Sequence, residues 1–137
     1  MQVQAYLSFN GRCEEALAFY QEALGAQVLA MIRFNEAPDP PPAGMVPPGA
    51  ERKIMHSAFM IGDSTVMATD GDCSGKTEFM GVSLTLQVAD AAEAGRVFKA
   101  LADGGQVRMA LDKTFWSPCF GMLVDRFGVS WMVNVVV

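Results

Sequence analysis

At 137 residues the chain is long enough for one compact domain or two small fused modules, and 51% hydrophobic with 18% charged residues can build a real core. A net charge of −5 with no cluster of Lys or Arg argues against a nucleic-acid partner, because phosphates demand a basic surface. No apolar run approaches the roughly 18–20 residues of a membrane span. The start MQVQAYLSF lacks a basic n-region, and Cys13, Cys73 and Cys119 form no CxxC pair. These features point to a soluble, cytoplasmic protein with reduced thiols and no membrane partner.

Taken in order, Val3–Phe9 alternates, with Val3, Ala5, Leu7 and Phe9 against Gln4, Tyr6 and Ser8, which predicts a half-buried strand. Asn10-Gly11 ends it and is placed to cap a helix. Within Cys13–Leu24, positions 13, 16, 17, 20 and 24 are apolar at helical spacing, and Glu14, Glu15 and Glu22 form a solvated face. Gly25 stands where a helix stops, and Ala26–Phe34 reads as a strand. Residues 35–50 hold six of the seven prolines and predict a long loop, which includes a lid among its readings. Lys53–Ile61 and Ser64–Asp70 are strands joined by the turn Gly62-Asp63, with the only histidine, His56, in phase with Ile54, Ala58 and Met60.

Residues 71–81 are polar and glycine-rich, and they read as a linker. Gly75-Lys76-Thr77 resembles the end of a phosphate loop, but Asp70 stands where its first glycine is required. The pattern then restarts. Val82–Val88 alternates, Asp90 and Glu93 suit a helix N-terminus, and Ala94, Val97, Phe98 and Leu101 form an apolar helical stripe. Gly104-Gly105 stops that helix, and a strand follows at about Gln106–Ala110. Asp125-Arg126-Phe127-Gly128 predicts a hairpin between Cys119–Val124 and Ser130–Val136, with Asp125 and Arg126 as turn residues. Trp131 falls in the core, and Trp116, after the bend before Pro118, is placed to wall a cavity.

With an offset of 79, Glu14 falls on Glu93, Phe19 on Phe98, Gly25 on Gly104, and Gln4 on Ser83. The fold class is therefore α+β: two tandem βαβββ modules, about 1–70 and 82–137, in one domain spanning 1–137. A helix on one face of each sheet leaves the other face to line a trough. The trough-facing residues are then Gln4, Tyr6, Ser8, Ser83, Thr85 and Gln87.

The segments AYLSFNGRCEEALAFYQEALGA, SGK and TFWSPCFGMLVDRFGVSWMVNVV resemble the vicinal oxygen chelate superfamily of glyoxalases, ring-cleaving dioxygenases and antibiotic-resistance proteins, and within it the PhnB-like branch. The resemblance covers almost the whole chain. It implies a sheet wrapped around a cavity, often a divalent metal held by four His or Glu side chains, and pairing as a homodimer. The ligand positions fall near Gln4, at His56, at Ser83 and at Met132, with Asn134 next on that face. One imidazole among four positions disfavours a tightly held metal. A methyltransferase label attached to some relatives finds no glycine-rich nucleotide loop here.

Three readings follow. The first is a metal-free protein that binds a small molecule in a pocket of Gln4, Tyr6, His56, Ser83, Trp116, Met132 and Asn134. The second is a metal- or His56-dependent lyase, isomerase or dioxygenase acting on a small oxygenated or phosphonate-like substrate, since histidine changes charge near neutral pH. The third is a structural or regulatory dimer with a vestigial pocket. No Ser-His-Asp set is present.

Overall fold

The alternating and helical patterns become two separate units in the computed structural model, which describes residues 1–39 and 46–136. The units divide between Thr77 and Glu78. The first holds β1 (Tyr6–Ser8), α1 (Cys13–Leu24), β2 (Gln27–Arg33), β3 (Ile54–Ile61) and β4 (Ser64–Thr69). The second holds β5 (Ser83–Val88), α2 (Ala91–Ala102), β6 (Gln106–Asp112), β7 (Phe120–Val124) and β8 (Ser130–Val135). Strand order is β1-β4-β3-β2 in one sheet and β5-β8-β7-β6 in the other. In each, the first strand lies parallel to the last and the other pairings are antiparallel. The duplication expected from the offset is therefore present as two βαβββ units of identical topology. No helix among the described residues is long and apolar enough to cross a membrane.

Each helix covers one sheet face because its apolar stripe matches one parity of the strands. In the first unit Cys13, Ala16, Leu17, Tyr20 and Ala23 are buried with Leu7, Phe9, Ser57, Phe59, Val66 and Ala68. Tyr20 stacks on Phe59 at 6.0 Å between ring centroids and leans on Phe9 at 6.1 Å. In the second, Ala94, Val97, Phe98 and Leu101 are buried with Leu123, Trp131, Val133 and Val135. Gly121 lets α2 approach β7, since a Cβ there would come within 2.8 Å of the Phe98 ring.

Two buried carboxylates hold the ends of these elements. Asp70, after β4, accepts from Gly11 N at 3.1 Å and Cys13 N at 2.7 Å through Oδ1, and from Ile54 N at 2.5 Å through Oδ2. Asp125 accepts from Phe127 N at 2.9 Å, Val129 N at 3.1 Å and the Trp131 indole N–H at 2.9 Å. A buried carboxylate is tolerable only when its lone pairs are filled in this way.

Several expectations need correcting. Asn10 does not cap α1; Asp70 satisfies that terminus from 57 residues away, while Asn10 Nδ2 donates to the carbonyl of Lys76. Asp125 and Arg126 are more than turn residues: Asp125 is a buried acceptor, and Arg126 pairs with Asp103 at the end of α2. The first strand is three residues long, not seven, because Val3 is exposed and has no apolar surface to cover. Ile54 is not in phase with His56. The β2–β3 register shifts between Ile32 and Arg33, and this bulge turns Ile54 into the core. The cap expected at α2 is present: Asp90 accepts from Glu93 N, and Glu93 Oε2 reaches Ala89 N at 3.4 Å. The lid reading of 35–50 falls partly on residues 40–45, outside the described residues.

Asp70→Ala and Asp125→Ala should each lower unfolding free energy by about 3 kcal/mol in urea titrations, because each removes the acceptor of three N–H donors that are buried or partly buried. A loss below about 1 kcal/mol would contradict the clamp role. Burial pushes the Cys13 thiol up to about 12, assisted by Asp70 and Glu14 and opposed by its contact with Ser57. The folded value lies above the ordinary 9.0, so the unfolded chain loses its proton first. Stability from the neutral thiol is complete below that ordinary value and falls as pH rises toward the folded one. Denaturation series across that range should show the decline, and Cys13→Ala should flatten it.

Candidate functional site

The sheet faces turned away from the helices carry the polar and thioether side chains. In the first unit Tyr6 pairs with Met67, and Met67 pairs with Ala58, so these residues share a face with His56 and Met60. The Tyr6 ring crosses β4 to meet His56, with ring centroids 5.7 Å apart. The phenol hydroxyl and His56 Nδ1 share a 3.2 Å hydrogen bond. Either the hydroxyl donates to a bare Nδ1 or Nδ1–H donates to the phenol oxygen. In both cases the imidazole is oriented, and its Nε2 has no partner among the described residues. Tyr6 is exposed and His56 half-buried, so the pair is reachable from solvent.

In the second unit, Thr85 pairs with Met132 and Gln87 with Asn134 across β5 and β8. Met122 and Phe120 stand opposite Met132 and Asn134 on β7. Asn134 Nδ2 donates to Gln87 Oε1 at 2.8 Å, whereas Asn134 Oδ1 is buried without a partner among the described residues. An acceptor in that state costs about 1–3 kcal/mol of desolvation. Trp116, half-exposed on the loop before β7, meets Phe120 edge-on at 5.4 Å, and Phe115 meets Trp116 at 4.8 Å.

The structure therefore brings Tyr6 to His56 on one face and Met132 and Asn134 to a common face with Ser83 on the other. Gln4 is not gathered in. It lies before β1, is exposed, and among the described residues its side chain hydrogen-bonds Gln2. Gln87 and Phe120 were missing from the expected pocket residues, although the period-two alternation already placed Gln87 with Ser83 and Thr85. The donor set does not suit a divalent metal. Gln4 lies before β1 with no strand partner among the described residues, Ser83 is a hydroxyl and Met132 a thioether. No group of three or more His, Cys, Asp or Glu converges among the described residues.

A separate depression of about 330 Å³ lies beside α1, lined by Glu14, Arg33, Gly49, Arg52 and Lys53. Its charges are largely engaged. Arg33 makes a bidentate pair with Glu14 at 3.0 and 2.8 Å and donates to the Arg52 carbonyl, and Lys53 donates to the Gly11 carbonyl. Hydrogen bonding from Arg33 holds the Glu14 carboxyl below its ordinary range.

A doubled βαβββ unit with one open face per sheet defines the vicinal oxygen chelate class. The fold matches the fosfomycin resistance protein FosX from Listeria monocytogenes with a TM-score of 0.65 at 11% identity, over 100% of this chain and 93% of that one. Residues 1–134 match the family described as 3-demethylubiquinone-9 3-methyltransferase, and the chain belongs to this PhnB-like family. Protein PA1353 from Pseudomonas aeruginosa is 41% identical, with a TM-score of 0.83 over 98% of this chain and 97% of that one. A Bacillus cereus protein whose description names that methyltransferase and PhnB is 26% identical, with a TM-score of 0.80 over 99% and 100%.

Because the open faces do not hold the core together, Tyr6→Phe and His56→Ala should each change stability by less than about 1 kcal/mol. Phe59→Ala, one residue-parity away, should cost about 3–5 kcal/mol. Urea titrations of the three variants check the division.

Proposed function

We propose that the protein binds a small organic molecule on its open sheet faces without a tightly held metal. One observation carries the reading: these faces present thioethers and neutral hydrogen-bonding pairs where a metal site needs converging imidazoles and carboxylates. Met60, Met67, Met122 and Met132 supply adaptable apolar surface, and Tyr6–His56 and Asn134–Gln87 supply direction. The family description names a methyltransferase. We do not extend that activity to this chain, because neither sheet has the parallel, doubly wound order that carries a nucleotide loop.

A second reading has its own support. Tyr6 orients His56 through Nδ1, and Nε2 has no partner among the described residues, which is the arrangement of a positioned acid or base. On that reading His56 acts as the catalytic residue on a small oxygenated or phosphonate-like substrate. A homodimer fits either reading, since the edge strands β2 and β6 expose Leu29, Met31, Val107 and Met109. Three free thiols support a reducing, cytoplasmic setting.

The test is a thermal-shift library of neutral aromatics, short organic acids and phosphonates, run with and without chelator. Hits should raise the melting temperature with concentration and be indifferent to chelation. Stabilisation seen only with added zinc, nickel, manganese or iron would contradict the proposal. Turnover of a hit that disappears in His56→Ala would favour the second reading. Light scattering should give twice the chain mass, and a monomer would remove the dimer.

A further inference from the structure

We propose that the open face of β7 and β8 takes a planar aromatic ligand bearing a neutral hydrogen-bond donor, with Asn134 accepting from the donor and Trp116, backed by the buried Phe120, holding the ring. This deepens the binding reading above and rests on it. Asn134 is the residue whose state calls for a ligand: its Nδ2 donates to Gln87, and its Oδ1 is buried with nothing to accept from among the described residues. Such an acceptor is stabilised by any group that brings an N–H or O–H to it.

The surroundings select the rest of the ligand. Phe120 stands directly opposite Asn134 on the neighbouring strand, and Trp116 packs edge-on against Phe120 at an interplanar angle of 68°. Trp116 keeps more than half of its surface exposed, so indole surface remains for a flat ring to cover. Met122 and Met132 form the next row, soft enough to follow a ring's outline. The residues of β5, β7 and β8 on this face are uncharged. Asp112, opposite Phe120 at the sheet edge, disfavours an anion. A phenol, indole or lactam fits these demands better than a carboxylate or phosphate.

The experiment compares 2-naphthol with 2-methoxynaphthalene, which has the same ring with its donor blocked, by isothermal titration calorimetry at neutral pH. The naphthol should bind at least about tenfold more tightly, and it should shift the Asn134 side-chain amide signals. Asn134→Ala should bring the two affinities within about twofold of each other. Trp116→Ala should weaken both by a similar factor, about fivefold, and leave their ratio intact. Circular dichroism checks the fold of each variant. If Asn134→Ala does not fold, Asn134→Leu and the amide shifts of the unaltered protein decide.

Equal affinities in the unaltered protein, or a preference that survives Asn134→Ala, would overturn the inference. Binding of other library members while neither naphthalene binds would overturn it and leave the binding reading standing. A silent library would remove both.

Discussion

Two buried carboxylates set the frame on which everything else hangs. Asp70 collects the amides of Gly11, Cys13 and Ile54 on one side chain. It thereby joins the end of β4 to the start of α1 and the start of β3. Asp125 gathers Phe127, Val129 and the Trp131 indole, which closes the β7–β8 hairpin and fixes the largest core side chain of its unit. Backbone donors at helix and strand ends must be paired with something, and here charge-assisted bonds pair them inside the protein. Asp70 thus ties α1 to its sheet and Asp125 fixes the hairpin on which α2 packs, and the opposite sheet faces are left to other contacts.

That division explains the chemistry of the open faces. On the helix side, most of the buried strand residues are apolar, as with Phe59 under Tyr20. On the other side stand a tyrosine–histidine pair, an asparagine–glutamine pair and methionines. These residues contribute little to the core, so their types are set by what they meet at the surface. Where a divalent metal would need imidazoles or carboxylates, Ser83 offers a hydroxyl and Met132 a thioether.

Much of this was legible in the sequence because it is local. Period-two alternation named the open-face residues Tyr6, Ser83, Thr85 and Gln87. Helical spacing named Ala94, Val97, Phe98 and Leu101, and an offset of 79 revealed the duplication. What escaped was non-local. Nothing in Asp70 itself announces three amides, one of them 59 residues away. The bulge that moves Ile54 into the core depends on the pairing with β2 and not on β3 alone. Alternation placed Gln4 in the pocket, but only an apolar surface beneath Val3 would have extended the strand that far. The Tyr6–His56 contact was foreshadowed by two residues on one face, while the orphaned oxygen of Asn134 needs coordinates to be seen.

The most direct measurement is the divalent metal content of protein purified without a metal-binding tag, followed by its melting temperature after chelation. Well below one metal per chain and an unchanged melting temperature are expected, since His56 is the single imidazole and Gln4, Ser83 and Met132 are poor ligands. Stoichiometric metal in the native protein, lost in His56→Ala, would contradict this and return the protein to the metalloenzymes of its class.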